Sequence, residues 1–169
     1  MDTQTLRRCA LYQRILVPLD GSPEAETALD VTSGLRYPES EFLLVRMQGL
    51  GAELGYPVGF PVPTEALEAE RLRCDAYLLA LAGRLSTQGG TVRRIVLPHQ
   101  EDVAQAIAQL AKAEKSQVVV MTSHGWEGLG RALRGSVAEE LARIASCPVL
   151  IIGPQTEVLQ DSKSARRAT

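Results

Sequence analysis

Residues 117–122, Gln117-Val118-Val119-Val120-Met121-Thr122, form a short apolar run, and the glycine-rich segment SHGWEGLGRALRGS that follows at 123–136 leads straight into a helical pattern. Near-continuous apolarity is what a strand covered on both faces of a parallel sheet requires. A strand, a glycine-rich turn and a helix start in succession gather free backbone N–H groups and the positive end of a helix dipole, a combination suited to phosphate oxygens.

Four similar runs surround this one: 14–19 (RILVPL), 42–47 (FLLVRM), 92–97 (VRRIVL) and 148–152 (PVLII). The stretches between them carry helical spacing. Residues 23–36 place Ala25, Ala28, Leu29 and Thr32 on one face, 65–87 place Leu78, Leu81 and Leu85, 101–115 place Val103, Ile107 and Leu110, and 137–146 form a short last helix. Strand and helix alternate throughout. That order implies right-handed crossovers and an α/β fold, an open five-stranded parallel sheet with helices on both faces in three Rossmann-like layers.

Ser22 followed by Pro23 reads as a helix start, and Ser136-Val137-Ala138-Glu139 has the form of a capping box. Residues 48–63 (QGLGAELGYPVGFPVP) can continue neither a helix nor a strand and are read as a long surface loop. One domain is expected over 12–153, preceded by an N-terminal extension at 1–11 and followed by a polar tail at 154–169 expected to be disordered.

The chain has 169 residues, 45% of them apolar, which suits one compact core. Its net charge of −2, with basic residues scattered, argues against a nucleic-acid partner. No run reaches membrane-spanning length and the first residues lack a secretory core, so a cytoplasmic location is expected. Cys9, Cys74 and Cys147 form no CxxC pair, and with His99 and His124 as the only imidazoles no metal site is indicated.

The candidate chemistry lies beyond the carboxyl ends of the first and fourth strands, where open parallel sheets bind ligands. Gly125 and Gly135 would let backbone approach a phosphate, with Ser136 and the amides of Ser136 and Val137 donating and Arg131 or Arg134 adding charge. The plainer reading makes the glycines a turn and Ser136 a helix cap; the cap is favoured for Ser136 alone and phosphate binding for the whole segment. Ser136 stands where a P-loop lysine would be, and the turn after the first strand, Pro18-Leu19-Asp20-Gly21-Ser22, is no dinucleotide fingerprint. Asp20 suits either a ribose or adenine edge or a part in capping the helix at Pro23. His124 lacks a base partner or nucleophile and reads as a turn or ligand-flanking residue, while His99 and Trp126 read as surface residues.

Together Ile15-Leu16-Val17-Pro18-Leu19-Asp20-Gly21-Ser22, Ser123-His124-Gly125, Leu133-Arg134-Gly135-Ser136-Val137-Ala138-Glu139 and Cys147-Pro148-Val149-Leu150-Ile151 resemble the universal stress protein family over residues 12–153. The resemblance implies an adenine-nucleotide α-hydrolase-like sheet, a homodimer through the last strand at 148–152, and, in one branch of the family, ATP held by a G-x2-G-x9-G-[ST] pattern. Here Gly125, Gly135 and Ser136 match that pattern and Thr122 replaces its first glycine. By the same resemblance Asp20 contacts the adenosine portion, Pro18 and Leu19 line its pocket, and Met47 sits near the adenine; Thr122, Ser123, His124, Arg131 and Val137 are taken with them as candidate binding residues. The ligand implied is ATP, with or without Mg, or else AMP or ADP.

The resulting expectation is a nucleotide-binding regulatory module with no catalytic residue and little or no turnover. The alternative is a dimeric scaffold that binds no nucleotide and uses the Tyr56–Phe60 loop on a partner. A true hydrolase or transferase ranks last, because paired histidines or carboxylates are missing from the loops.

Overall fold

The computed structural model describes residues 12–35, 39–49, 51, 54–57, 60–86, 91–123 and 136–153. The extension at 1–11, the tail at 154–169, and the site residues His124, Gly125, Arg131 and Gly135 lie outside the described residues.

Among the described residues five strands and four helices alternate: β1 (Arg14–Pro18), α1 (Pro23–Leu35), β2 (Glu41–Met47), α2 (Thr64–Ser86), β3 (Thr91–Leu97), α3 (Val103–Ala113), β4 (Val118–Thr122), α4 (Ser136–Ile144) and β5 (Val149–Ile152). They build one sheet in the order β3-β2-β1-β4-β5, with every pairing parallel. The doubly wound α/β fold expected from the alternating pattern is therefore present.

The two-residue period of the strands divides the core into two layers. Ile15, Val17, Phe42, Leu44, Val118 and Val120 face α1 and α2, where they meet Ala25, Ala28, Leu29, Leu78, Leu81 and Leu85. Leu16, Leu43, Val45, Met47, Val119 and Met121 face α3 and α4, packing on Val103, Ile107, Ala111, Ala138 and Leu141. β1, β2 and β4 are apolar on consecutive residues because they are buried on both faces.

The same argument fails at the margins. β3 and β5 are edge strands, each covered only in part. β3 carries Arg93 and Arg94, which pair with Glu114 and Asp75 at 2.9 Å each. β5 has no charge, and its Leu150 and Ile151 are 38% and 37% exposed.

Helix ends follow local chemistry. Ser22 Oγ accepts from the amide of Ala25 at 3.1 Å, so Ser22 caps α1 with Pro23 at the first helical position, as its sequence indicates. α3 begins at Val103 instead of 101, because Asp102 takes an extended conformation and its carboxylate accepts from the amide of Gln105 at 2.8 Å. The helix face expected to include Leu110 leaves that residue half-buried, at the margin of the core.

Candidate functional site

β1 and β4 are parallel neighbours whose connections leave in opposite directions, the first to α1 on one face and the second toward α4 on the other. A crevice opens where such connections diverge, at the carboxyl ends of the strands. At that position Leu19, Asp20, Gly21 and Ser22 follow β1 and Ser123 follows β4.

The turn after β1 is tightly ordered. Leu19 donates its amide to the Val45 carbonyl at 2.7 Å, which fixes the chain leaving β1 against β2. Asp20 Oδ1 accepts from both the amide of Ser22 at 2.9 Å and its hydroxyl at 2.7 Å. The capping role open to Asp20 is thus realised through Ser22. Its second carboxylate oxygen makes no hydrogen bond to the described residues and remains able to accept one from a ligand. Gly21 adopts φ +91°, a left-handed conformation that glycine reaches without a steric penalty.

Arg46, on the α1 and α2 side of β2 two residues beyond Leu44, closes this turn from the side. A Cβ built on Gly21 would meet Arg46 Nη1, Cζ and Nη2 at 1.9, 2.8 and 2.9 Å, so the guanidinium occupies the space that a larger residue at 21 would need. The opposite contact is aromatic: Cζ lies 4.8 Å from the centroid of the Tyr77 ring on α2. Arg46 Nε is shielded from solvent without a hydrogen-bond partner among the described residues, and the Tyr77 hydroxyl is in the same condition.

Burial dominates the acid–base behaviour of this wall. It pushes the Tyr77 phenol well above its ordinary range, with the Glu26 carboxylate adding in the same direction and Arg46 opposing. It pushes the Cys74 thiol up as well, against the nearby charge of Arg46. Cys74 donates to Glu70 at 3.4 Å, and Glu70, itself buried, is paired with Arg73 at 2.9 Å. Glu70 and the Leu67 carbonyl also accept from Gly49 and Gln48, tying the segment after β2 to α2.

The remaining expected residues divide by burial. Pro18 and Leu19 are buried beneath the turn, Leu19 in the α1 and α2 layer. Met47 is 8% exposed and points into the opposite layer with Val137. At the end of β2 the Arg46 side chain reaches the turn after β1. Thr122 is buried at the end of β4, opposite Ile152, and Ser123 donates its amide to the Ile152 carbonyl at 3.0 Å. Val137 begins the buried face of α4. His99, read as a surface residue, is half-buried with Nε2 shielded and unpartnered among the described residues, because it follows β3 directly into the packed end of the sheet.

Sequence reasoning missed Arg46 and Tyr77. A charge inside an otherwise apolar strand is a detectable signal, but its partners come from distant segments. Among the described residues no group of His, Cys, Asp and Glu could hold a metal ion, and no helix is long and apolar enough to cross a membrane. A polar hollow of about 350 Å³ bounded by Arg14, Glu39, Glu41 and Lys115 lies at the amino end of the sheet, away from the crevice.

Comparison with known proteins agrees with this architecture. A universal stress protein from Thermus aquaticus is 30% identical over 145 residues, covering 84% of this chain and 99% of its own. Another from Methanocaldococcus jannaschii is 27% identical over 145 residues, covering 84% and 82%. Among solved structures, UspA from Lactobacillus plantarum superposes with a TM-score of 0.66 at 18% identity, covering 83% of this chain and 97% of that one. A universal stress protein from Archaeoglobus fulgidus in complex with dAMP gives 0.58 at 18% identity, covering 84% and 98%. A universal stress protein in complex with cAMP gives 0.59 at 20% identity, covering 85% and 98%. The family model described as "Universal stress protein family" matches residues 11–153, and the chain belongs to that family.

Proposed function

We propose that this chain is a nucleotide-binding regulatory module that holds ATP, or a related adenine nucleotide, in the crevice between the β1 and β4 ends. The observation that carries the reading is Asp20. Its carboxylate stands at the point where the chain directions diverge, one oxygen engaged in the Ser22 cap and the other without a partner among the described residues. Two family members of the same fold are bound to adenine nucleotides, cAMP in one and dAMP in the other.

In this reading the segment 123–136, with Gly125, Gly135 and Ser136, receives the phosphates, while Asp20 receives the nucleoside. The absence of a base or Walker lysine from the motifs favours storage or sensing over turnover. The β5 edge, unpaired among the described residues, supports a homodimer. Unlike β3, which is blunted by two arginines, β5 presents the exposed aliphatic side chains of Leu150 and Ile151 to a second copy. We place this dimer in the cytoplasm.

A thermal melt with and without millimolar Mg-ATP, followed through Trp126 fluorescence, tests the reading. A ligand bound to the native state raises the midpoint by mass action, and Gly135→Val should abolish the rise by filling the phosphate approach. No rise in the parent would instead favour a nucleotide-free scaffold, a reading supported by Phe60, which is 69% exposed in the 48–63 segment.

A further inference from the structure

Arg46 is a partly buried cation at the ligand-binding end of the sheet, and among the described residues it forms no ion pair with a carboxylate. Tyr77 stacks on it and Gly21 gives it room, so two positions are arranged around a charge that no carboxylate among the described residues pairs with. Such a cation is costly to keep unless an anion meets it, and a guanidinium is well suited to phosphate.

The strand order gives Arg46 its place relative to a ligand. β4, which leads into the glycine-rich segment, flanks β1 on one side, and β2 flanks it on the other. On the nucleotide reading proposed above, a ligand with its 5′ phosphates at the β4 side lays its nucleoside over β1 and toward β2. Asp20 and Arg46 then meet the ribose end. In dinucleotide sites an acidic residue serves a free ribose hydroxyl and a nearby arginine serves a ribose phosphate. This crevice presents both.

We propose that Arg46 is a specificity-determining residue, and that the site favours adenine nucleotides carrying a phosphate on the 2′ or 3′ oxygen of the ribose over those phosphorylated at the 5′ position alone. The inference rests on the nucleotide reading and adds to it the class of ligand preferred.

Isothermal titration of the full chain with 5′-AMP, adenosine 2′,5′-bisphosphate and adenosine 3′,5′-bisphosphate tests it. At least one bisphosphate should bind about tenfold more tightly than AMP, the gain of a charge-assisted contact. In Arg46→Gln that ratio should fall to within about threefold, and Arg46→Lys should restore part of it, since a lysine keeps the charge but loses the planar fork. Equal affinities in the parent, or a preference that survives Arg46→Gln, would overturn the proposal while leaving the nucleotide reading intact. Failure of all three nucleotides to bind the parent would overturn both. Should Arg46→Gln not fold, the parent ratio and the Arg46→Lys ratio decide the matter.

Discussion

The Ser22 hydroxyl donates to Asp20 Oδ1 at 2.7 Å while accepting from the Ala25 amide at 3.1 Å, so the residue expected to meet a ligand also orients the cap of α1. On the proposed reading, structure and binding are coupled in one turn. Ser22→Ala should lower stability by about 1 kcal/mol, the usual worth of a helix N-cap, measured by urea denaturation. Asp20→Asn retains an acceptor for Ser22, so its stability loss should be smaller than that of Ser22→Ala while its effect on nucleotide binding should be larger. A stability loss in Asp20→Asn equal to that of Ser22→Ala would assign the carboxylate to capping alone.

Gly21 and Arg46 should show energetic coupling. Gly21→Ala strains a backbone held at φ +91° and drives a methyl group into the guanidinium. A left-handed non-glycine residue costs roughly 1–2 kcal/mol, and the clash adds to it. In an Arg46→Ala background only the backbone contribution remains. The cycle should therefore give a coupling on the order of 0.5–3 kcal/mol, with additivity as the outcome that would refute the contact.

How much of this was legible beforehand differs between core and site. Ala25, Ala28, Leu29 and Thr32 are recognisable from helical spacing, and all four are buried. Near-continuous apolarity identified β1, β2 and β4 correctly because central strands need cover on both faces, but it says nothing of which strands lie at the edges. Sheet order decides that, and it depends on long-range packing. The same limit hid Arg46: its meaning comes from Gly21 and Tyr77, which approach it only after β1, β2 and α2 have assembled. Asp20 and Ser22 were readable because their interaction is local.

The carboxyl end of α3 offers a stabilising substitution. Lys115 adopts φ 53°, Ser116 donates its amide to the Ala111 carbonyl at 2.8 Å, and Lys115 donates to Lys112 at 3.2 Å. These are the paired bonds of a Schellman motif, whose left-handed position favours glycine. Lys115→Gly should raise stability by about 0.5–1 kcal/mol, because relief of the strained left-handed backbone outweighs the added freedom of the unfolded chain. A lower melting temperature would show that the lysine side chain contributes more than its backbone costs.

Alkaline pH should weaken the fold through the wall behind Arg46. Burial holds the proton on Cys74 and on Tyr77, raising both groups above their ordinary values. As pH rises, the unfolded chain releases these protons first, at about 8.5 for the thiol and about 10 for the phenol. Above those values the native state binds more protons than the unfolded state, so stability falls with increasing pH; below them the two groups leave it unchanged. Tyr77→Phe keeps the ring under the guanidinium and removes a buried hydroxyl that has no hydrogen-bond partner among the described residues. That variant should be at least as stable as the parent at pH 7 and should lose less stability between pH 9 and 11, the range in which a free phenol titrates, as read by urea melts at each pH. Superimposable profiles for variant and parent would mean that the phenol titrates in the folded chain as it does in water, and that the wall is open to solvent.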